Sequence, residues 1–316
     1  MHSDALHALA PVVLLGPQVQ PSEIGQIVAE LEPRGPVALV TAGWQENESE
    51  DHDLIDRLGV RAINLRLHAR SEEVYAVDPE FSDAAKARQK RLQLMQEFYR
   101  VRLDYADDAA RSIDVRHVDR ALLDEQRRIS IGELRHLDED HLARVREVQE
   151  EFEARWRPGE RDAIARHRDE VATLVRGCGA LVIAGGHVAS LLTRLRLFDL
   201  GRAVGQLPIV AWSAGAMVMT DRVVVFHDFP PYGKDIAQVL ETGLGACHDV
   251  VVLPDASRRI RLDDRTAIAR FASRMSPSTC VALDPGSSLV FSSGRLVRAQ
   301  AERFGPDGRL ERGWLR

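Results

Sequence analysis

The sequence predicts an α/β protein: a doubly wound, mostly parallel sheet with a nucleophile elbow, a large helical insertion and a C-terminal β meander. Short apolar runs alternate with helix-period segments up to residue 67 and again beyond residue 177, the pattern of strands covered on both faces. Between them, residues 79–176 are dense in charge, nearly free of glycine, and apolar at helical spacing. The chain therefore divides into a first part of the α/β unit at 1–78, a helical insertion at 79–176, and a second part at 177–316 that carries the candidate site.

Each element has a local reason. Val12 to Leu15 is an apolar run ended by Gly16-Pro17; Ser22 is placed to cap a helix reaching residue 31, with Ile24, Ile27, Val28 and Leu31 on one face. Val37 to Val40 is the next strand, closing in Thr41-Ala42-Gly43-Trp44. A helix over 53–58 stopped by Gly59 leads to a third strand over 60–67. Within the insertion, Leu92, Met95, Phe98 and Tyr99 mark the apolar face of one helix, and Leu142, Val145, Val148, Gln149 and Phe152 that of another. Pro158-Gly159 interrupts before a third segment runs to Val175. Residues 180–184 and 209–212 are strands, each followed by a helix; 223–226 and 250–253 are strands around a turn-rich segment at 229–233. Residues 281–283, 288–291 and 296–298 read as the meander, with turns at Asp284-Pro285-Gly286 and Ser293-Gly294 and a last turn signal at Pro306-Asp307-Gly308.

Composition narrows the function classes. At 316 residues and 45% hydrophobic, the chain can bury a sizeable core. A net charge of -6 with acidic and basic residues interspersed gives no footprint for nucleic acid. No apolar run approaches the roughly 20 residues of a spanning helix, and the first eleven residues lack a basic region before a long apolar stretch, so no membrane association and a cytoplasmic location are expected. Cys178, Cys247 and Cys280 are widely spaced and read as buried thiols. Neither the Glu139-Asp140-His141 nor the His167-Arg168-Asp169-Glu170 cluster has helical metal-ligand spacing, so both read as solvated charged faces, and no metal or other cofactor is expected. The insertion must pack on something, which makes a lid over the site, a homodimerisation arm or a partner surface its candidate roles.

The most informative segment is Ile209-Val-Ala-Trp-Ser-Ala-Gly-Ala-Met-Val-Met219, where an apolar strand stops at Ser213 and small residues begin a helix. A nucleophile elbow needs this: the serine takes strained backbone angles at a sharp strand-to-helix turn, and Ala211, Ala214 and Gly215 avoid clashes with it. Ala211 replaces the first glycine of the usual G-x-S-x-G pattern. A tightly packed strand-helix junction without chemistry accounts for the same residues. Gly185-Gly186 at a second strand exit, together with the N–H of Ala214, supply the converging backbone donors that a developing oxyanion requires.

Taken in order, A-L-V-I-A-G-G-H at 180–187, A-W-S-A-G-A-M-V-M at 211–219, G-L-G-A-C-H-D-V-V-V-L-P-D-A-S-R-R-I-R-L at 243–262 and V-A-L-D-P-G-S-S-L-V-F at 281–291 resemble the dipeptidase E and cyanophycinase family of serine peptidases. That family is related in fold to class I glutamine amidotransferases. The resemblance covers roughly 12–67 and 172–307, and the insertion has no counterpart in it. It implies Ser213 as nucleophile, with Ala214 and the Gly185-Gly186 turn as oxyanion donors, acting on a small peptide or amide. Amidotransferase chemistry itself needs a cysteine nucleophile, where this chain has serine.

The expected base is missing from its place. The family's histidine position aligns with Asp255, and a carboxylate with its ordinary pKa near 4 is a poor acceptor for a serine proton at neutral pH. Of the histidines, His187 follows the Gly-Gly turn and suits contact with a substrate carboxylate. His227 ends a strand beside Asp228 and is the candidate base; His248 lies in a loop and is the weaker one. Arg259 and Arg261 fit either an anionic group or the surface. Two readings follow: a serine hydrolase of impaired activity, or a non-catalytic relative that binds a small amino-acid-like ligand, or a protein partner through the insertion.

Overall fold

The structure, a computed structural model, describes residues 10–19, 22–228 and 236–312. The first elements alternate: β1 (Val12–Leu15), α1 (Ile24–Glu30), β2 (Val37–Val40), α2 (His52–Leu58) and β3 (Ala62–Asn64). Ser22 touches the first turn, its hydroxyl accepting the Ile24 N–H at 3.4 Å, while Glu23 occupies the cap position. β3 is shorter than the expected 60–67. The Asn64 amide turns inward to Thr41 and Asp51, both at 2.8 Å, and Arg66 adopts a left-handed conformation from which α3 (Leu67–Val77) starts.

The insertion is helical apart from short connections such as the turn at 115–119. α4 (Pro79–Asp114) and α5 (Arg120–Trp156) form an antiparallel hairpin whose arms are each about 55 Å long at 1.5 Å per residue, and α6 (Asp162–Arg176) returns the chain to the sheet. Asp78 and Asp119 cap the two long helices, accepting the N–H of Phe81 at 3.0 Å and of Leu122 at 3.2 Å. The Arg161 guanidinium, hydrogen-bonded to Asp78, holds that carboxyl below its usual pKa and pins α4 to the start of α6.

The α/β rhythm then resumes with β4 (Ala180–Ile183), α7 (Val188–Leu197), α8 (Leu200–Val204), β5 (Ile209–Trp212) and α9 (Ala214–Val218). Next come β6 (Arg222–Val225), β7 (Gln238–Thr242), β8 (Val250–Pro254), α10 (Ala256–Arg259), α11 (Arg265–Met275) and β9 (Thr279–Leu283). The chain closes with β10 (Ser288–Ser292), β11 (Arg295–Gln300), β12 (Glu302–Phe304) and β13 (Leu310–Glu311). The turn-rich segment at 229–233 lies outside the described residues.

The main sheet has the order β11-β10-β1-β5-β4-β2-β3, parallel from β1 to β3, with β10 and β11 antiparallel at one end. Both faces of β1, β5, β4 and β2 are buried, as the unbroken apolar runs require. Val12 and Leu14 of β1, Ile209 and Ala211 of β5, and Leu181 and Ile183 of β4 enter the larger core. Their neighbours Val13, Leu15, Val210, Trp212 and Val182 enter the other, under α1 and α2. The closing strands divide between two sheets. β10 and β11 extend the main sheet, whereas β9 pairs parallel with β8 in a smaller sheet of order β13-β12-β9-β8. β6 and β7 form a separate antiparallel pair.

The hairpin is fastened to this second half by a buried polar network. Asp138 of α5 accepts Arg274 Nη2 and the Tyr99 hydroxyl, both at 2.6 Å, and Arg274 Nε at 2.8 Å. Arg274 also donates to the Ala237 carbonyl at 2.8 Å, and the Tyr99 oxygen accepts the Val239 N–H at 3.2 Å. Three elements, α4, α5 and α11, thus meet at one carboxylate, and β7 joins them through the Tyr99 oxygen. Tyr99, Leu103 and Ala110 of α4 face Leu134 of α5 and Ile236 in the apolar cluster beside it. Phe98, expected on the inner face, points outward and is 70% exposed, because the inward line runs one residue later through Tyr99 and Leu103. Leu94, Phe98, Val101 and Tyr105 form an exposed apolar line along α4.

His141 and His167, expected on solvated faces, are buried. His141 stacks on Tyr99 with ring centroids 4.2 Å apart, its Nε2 bonded to the Leu240 carbonyl at 3.2 Å. Asp140 stays at the surface, paired with Arg144 and Arg102. All three cysteines are buried and free, and among the described residues no helix is long and apolar enough to cross a membrane.

Two outcomes follow. Asp138→Ala leaves the Arg274 charge buried without its partner, so urea unfolding should show a loss of about 3–5 kcal/mol; a loss below about 1 kcal/mol would mean that the network does not fasten the hairpin. Burial lowers the pKa of both His141 and His167, the Arg70 charge adding to the effect at His167. The unfolded chain therefore binds protons that the folded one refuses. Stability should be full above pH of about 6.5 and fall as pH drops from there through the lowered folded values, and His141→Gln should flatten that fall in a series of urea midpoints.

Candidate active site

Three strand exits meet at the carboxyl edge of the main sheet, those of β2, β4 and β5. Ser213 follows β5 directly, with φ 51° and ψ -120°, and stands at the cap position of α9. This left-handed backbone is rare for a residue with a Cβ and costs of order 1–3 kcal/mol. It is held from both sides: the Ser213 N–H donates to the Leu15 carbonyl at 3.2 Å, and its carbonyl accepts the Met217 N–H at 3.0 Å. The side chain is partly exposed at this edge.

Gly185 lies against it. A Cβ at Gly185 would stand 3.0 Å from the Ser213 Cβ and 3.6 Å from Oγ, so the β4 exit passes beside the hydroxyl. Gly186 has φ +114°, and the Gly185-Gly186 turn is pressed on Gly43 at the β2 exit. A Cβ at Gly43 would come within 2.5 Å of the Gly185 carbonyl oxygen, and one at Gly186 within 2.4 Å of the Gly43 oxygen. The His187 N–H closes this contact by donating to the Gly43 carbonyl at 2.7 Å. Ala214 opens α9, so its N–H has no intrahelical acceptor. Ser213, Ala214, Gly185 and Gly186 are thereby brought together.

The remaining candidates are spread around this point. His187 is exposed and caps α7, its Nδ1 accepting the Ser190 N–H at 3.1 Å, which leaves the proton on Nε2. Asp255 follows β8 in a left-handed conformation, φ 59°, and donates its N–H to the Leu283 carbonyl at 3.2 Å. Its carboxylate is largely buried, 3.9 Å from Arg258. The next carbonyl, that of Asp284, packs on Gly16 beyond β1, and Leu15 holds Ser213, so Asp255 and Ser213 share one edge of the molecule. The segment after β6 runs alongside α10: the Asp228 N–H donates to the Arg259 carbonyl at 2.8 Å and its carboxylate accepts the Arg261 N–H at 2.8 Å, with His227 one residue before.

His248 is on the far side. Its Nδ1 lies 2.8 Å from Asp221, and its ring packs on Gly294 in the β10-β11 turn. Leu15 is in register with both Trp212 and Ser288, so that turn sits at the amino edge, about 13 Å of strand away from Ser213. His141, His167, His187 and His248 have polar partners other than the Ser213 hydroxyl.

Two residues of this region escaped the sequence reading. Gly43 is in the T-A-G-W exit of β2, and the rule that singled out small residues after β5 applies there too. Gln45 repeats the Ser213 conformation almost angle for angle, φ 57° and ψ -124°, and donates from Nε2 to Ser190 Oγ at 3.2 Å. Nothing in its residue type signals this.

No protein-family model and no curated protein matches the chain. Among solved structures it is similar to one described as "Crystal structure of a peptidase from an acI-B1 Actinobacterium", at 12% identity and a TM-score of 0.44, with 94% of this chain and 86% of that chain covered.

The strain at Ser213 can be measured apart from any activity. Glycine adopts this backbone freely and alanine does not, so Ser213→Gly should unfold at higher urea than Ser213→Ala, by about 1 kcal/mol, although glycine loses more entropy on folding. The ordinary order, alanine above glycine, would mean that the turn is not strained.

Proposed function

We propose that the protein is a serine-hydrolase-like member of the dipeptidase E and cyanophycinase type, in which Ser213 addresses the carbonyl of a small peptide or amide. The observation that carries this reading is the left-handed Ser213 beside Gly185: a hydroxyl held at a strained strand exit, with a second backbone turn passing within contact distance. In that arrangement the Ala214 N–H and the Gly185-Gly186 turn serve as donors to the oxyanion of a tetrahedral intermediate. His227, on the segment beside α10, is the base proposed for the serine proton, and Asp255 occupies the place where the resemblance puts a histidine. Slow turnover is the consequence of a carboxylate standing at the histidine's place, since losing one triad member typically costs several powers of ten.

A second reading is favoured by a separate observation, the Asp255 carboxylate at the place where the resemblance puts a histidine, 3.9 Å from Arg258. In it the pocket binds a small amino-acid-like ligand without turnover. A fluorophosphonate probe separates the two. Under the hydrolase reading the wild type is labelled and Ser213→Ala is not. If the wild type stays unlabelled and Asp255→His becomes labelled in a Ser213-dependent way, the binding reading holds instead.

A further inference from the structure

A cleft of about 260 Å³ opens between the first turns of α4, the end of α3 and the start of α7. His187 stands at its edge, two residues beyond the Gly185 that touches Ser213, so its wall begins within about 8 Å of chain from the serine. The other side is cationic. Lys86 and Arg88 come from α4 and Arg194 from α7, with the Tyr75 phenol among them.

The unusual member is Arg88. Its guanidinium stacks 4.1 Å over the Phe152 ring, and among the described residues its one hydrogen bond is from Nη1 to the neutral Gln149 amide oxygen at 3.3 Å. No carboxylate forms an ion pair with it among the described residues; Glu153 and Glu241 act on it at longer range, and Glu241 is itself paired with Arg196 at 2.5 Å. Arg194 is hardly better satisfied: it donates to the Ser190 carbonyl at 3.4 Å and lies 3.6 Å from Glu72, whose side chain is 57% exposed. The Nε of both arginines is buried without a partner. Burial lowers the Arg88 pKa, and both cations act on the Tyr75 hydroxyl, which places the three groups around one volume.

A desolvated cation without a counter-charge is costly, and other arginines of this chain are paired with carboxylates. We infer that the cleft is a binding site for a small oxyanion, the carboxylate or phosphate group of a ligand, held by Arg88 and Arg194 with Lys86 at the rim. Guanidinium forks suit these planar or tetrahedral oxygens, and the His187 imidazole stands at the edge of the cleft beside them. The inference stands apart from the serine reading, because anion binding here does not require Ser213 to react.

Isothermal titration of the full chain at low salt with sodium succinate and, separately, inorganic phosphate tests it, the two arms telling a carboxylate preference from a phosphate one. Saturable one-site binding of at least one of them is expected, weakened about tenfold or more in Arg88→Met and Arg194→Met and unchanged in Ser213→Ala. Lys86→Glu, on the exposed rim, should weaken it several-fold without disturbing the packing around Phe152, which keeps the test valid should an arginine variant fold poorly. No saturable binding of either anion, or binding equal in wild type and Lys86→Glu, would overturn the inference. Loss of probe labelling at Ser213 with anion binding intact would count against the hydrolase reading alone.

Discussion

The contact of Gly43 with the Gly185-Gly186 turn is the constraint from which the site follows. Three parallel strands end at one edge, and their exits can touch only if the residues after the strands have nothing to interpose. Gly185 leaves room for the Ser213 side chain, Gly43 lets the β2 exit reach the β4 exit, and His187 locks the pair by a backbone hydrogen bond. The strained angles at Ser213 persist because β1 on one side and α9 on the other over-determine them. Remove the close approach and the serine becomes one more residue at the start of a short helix.

The insertion depends on that arrangement and completes it. Asp138, Arg274 and Tyr99 hold the long hairpin against the smaller sheet, while Asp78 and Arg161 fix its root beside α6. With both ends anchored, the first turns of α4 lie beside α3 and α7, and Arg88 is carried to a place where its guanidinium stacks on the Phe152 ring and bonds the neutral Gln149 amide. A polar network far from the serine thereby shapes what stands next to it.

Much of this was legible in the chain, and the failures have physical causes. Apolar tetrapeptides bounded by turn residues gave β1, β2, β4 and β5 almost to the residue, since strands buried on both faces cannot hide their composition. The small residues around Ser213 marked the sharp turn. Sheet membership was not readable: β9 looks like a neighbour of β10 in sequence, yet it pairs parallel with β8, and no local pattern records a partner. β7, Gln-Val-Leu-Glu-Thr with just two adjacent apolar residues, gave too weak a run to stand out. The face of α4 was misjudged at Phe98 because size suggests burial, whereas the inward line is decided by the partner helix. Gln45 and Arg66 adopt left-handed backbones that their residue types do not announce.

The floor beneath the serine is made of main chain, and this sets where diversity can arise. Side chains there are hydrogen atoms; a larger group collides with a carbonyl at Gly43 and Gly186 and crowds the serine itself at Gly185. Selectivity in such a site cannot be tuned from below. It has to be written on the walls, in α3, α4 and the first turn of α7, where exposed and half-buried positions such as Lys86, Gln89 and Thr193 change without touching the turn. The fixed backbone thus acts as a chassis, and the hairpin above it as the part that can be exchanged.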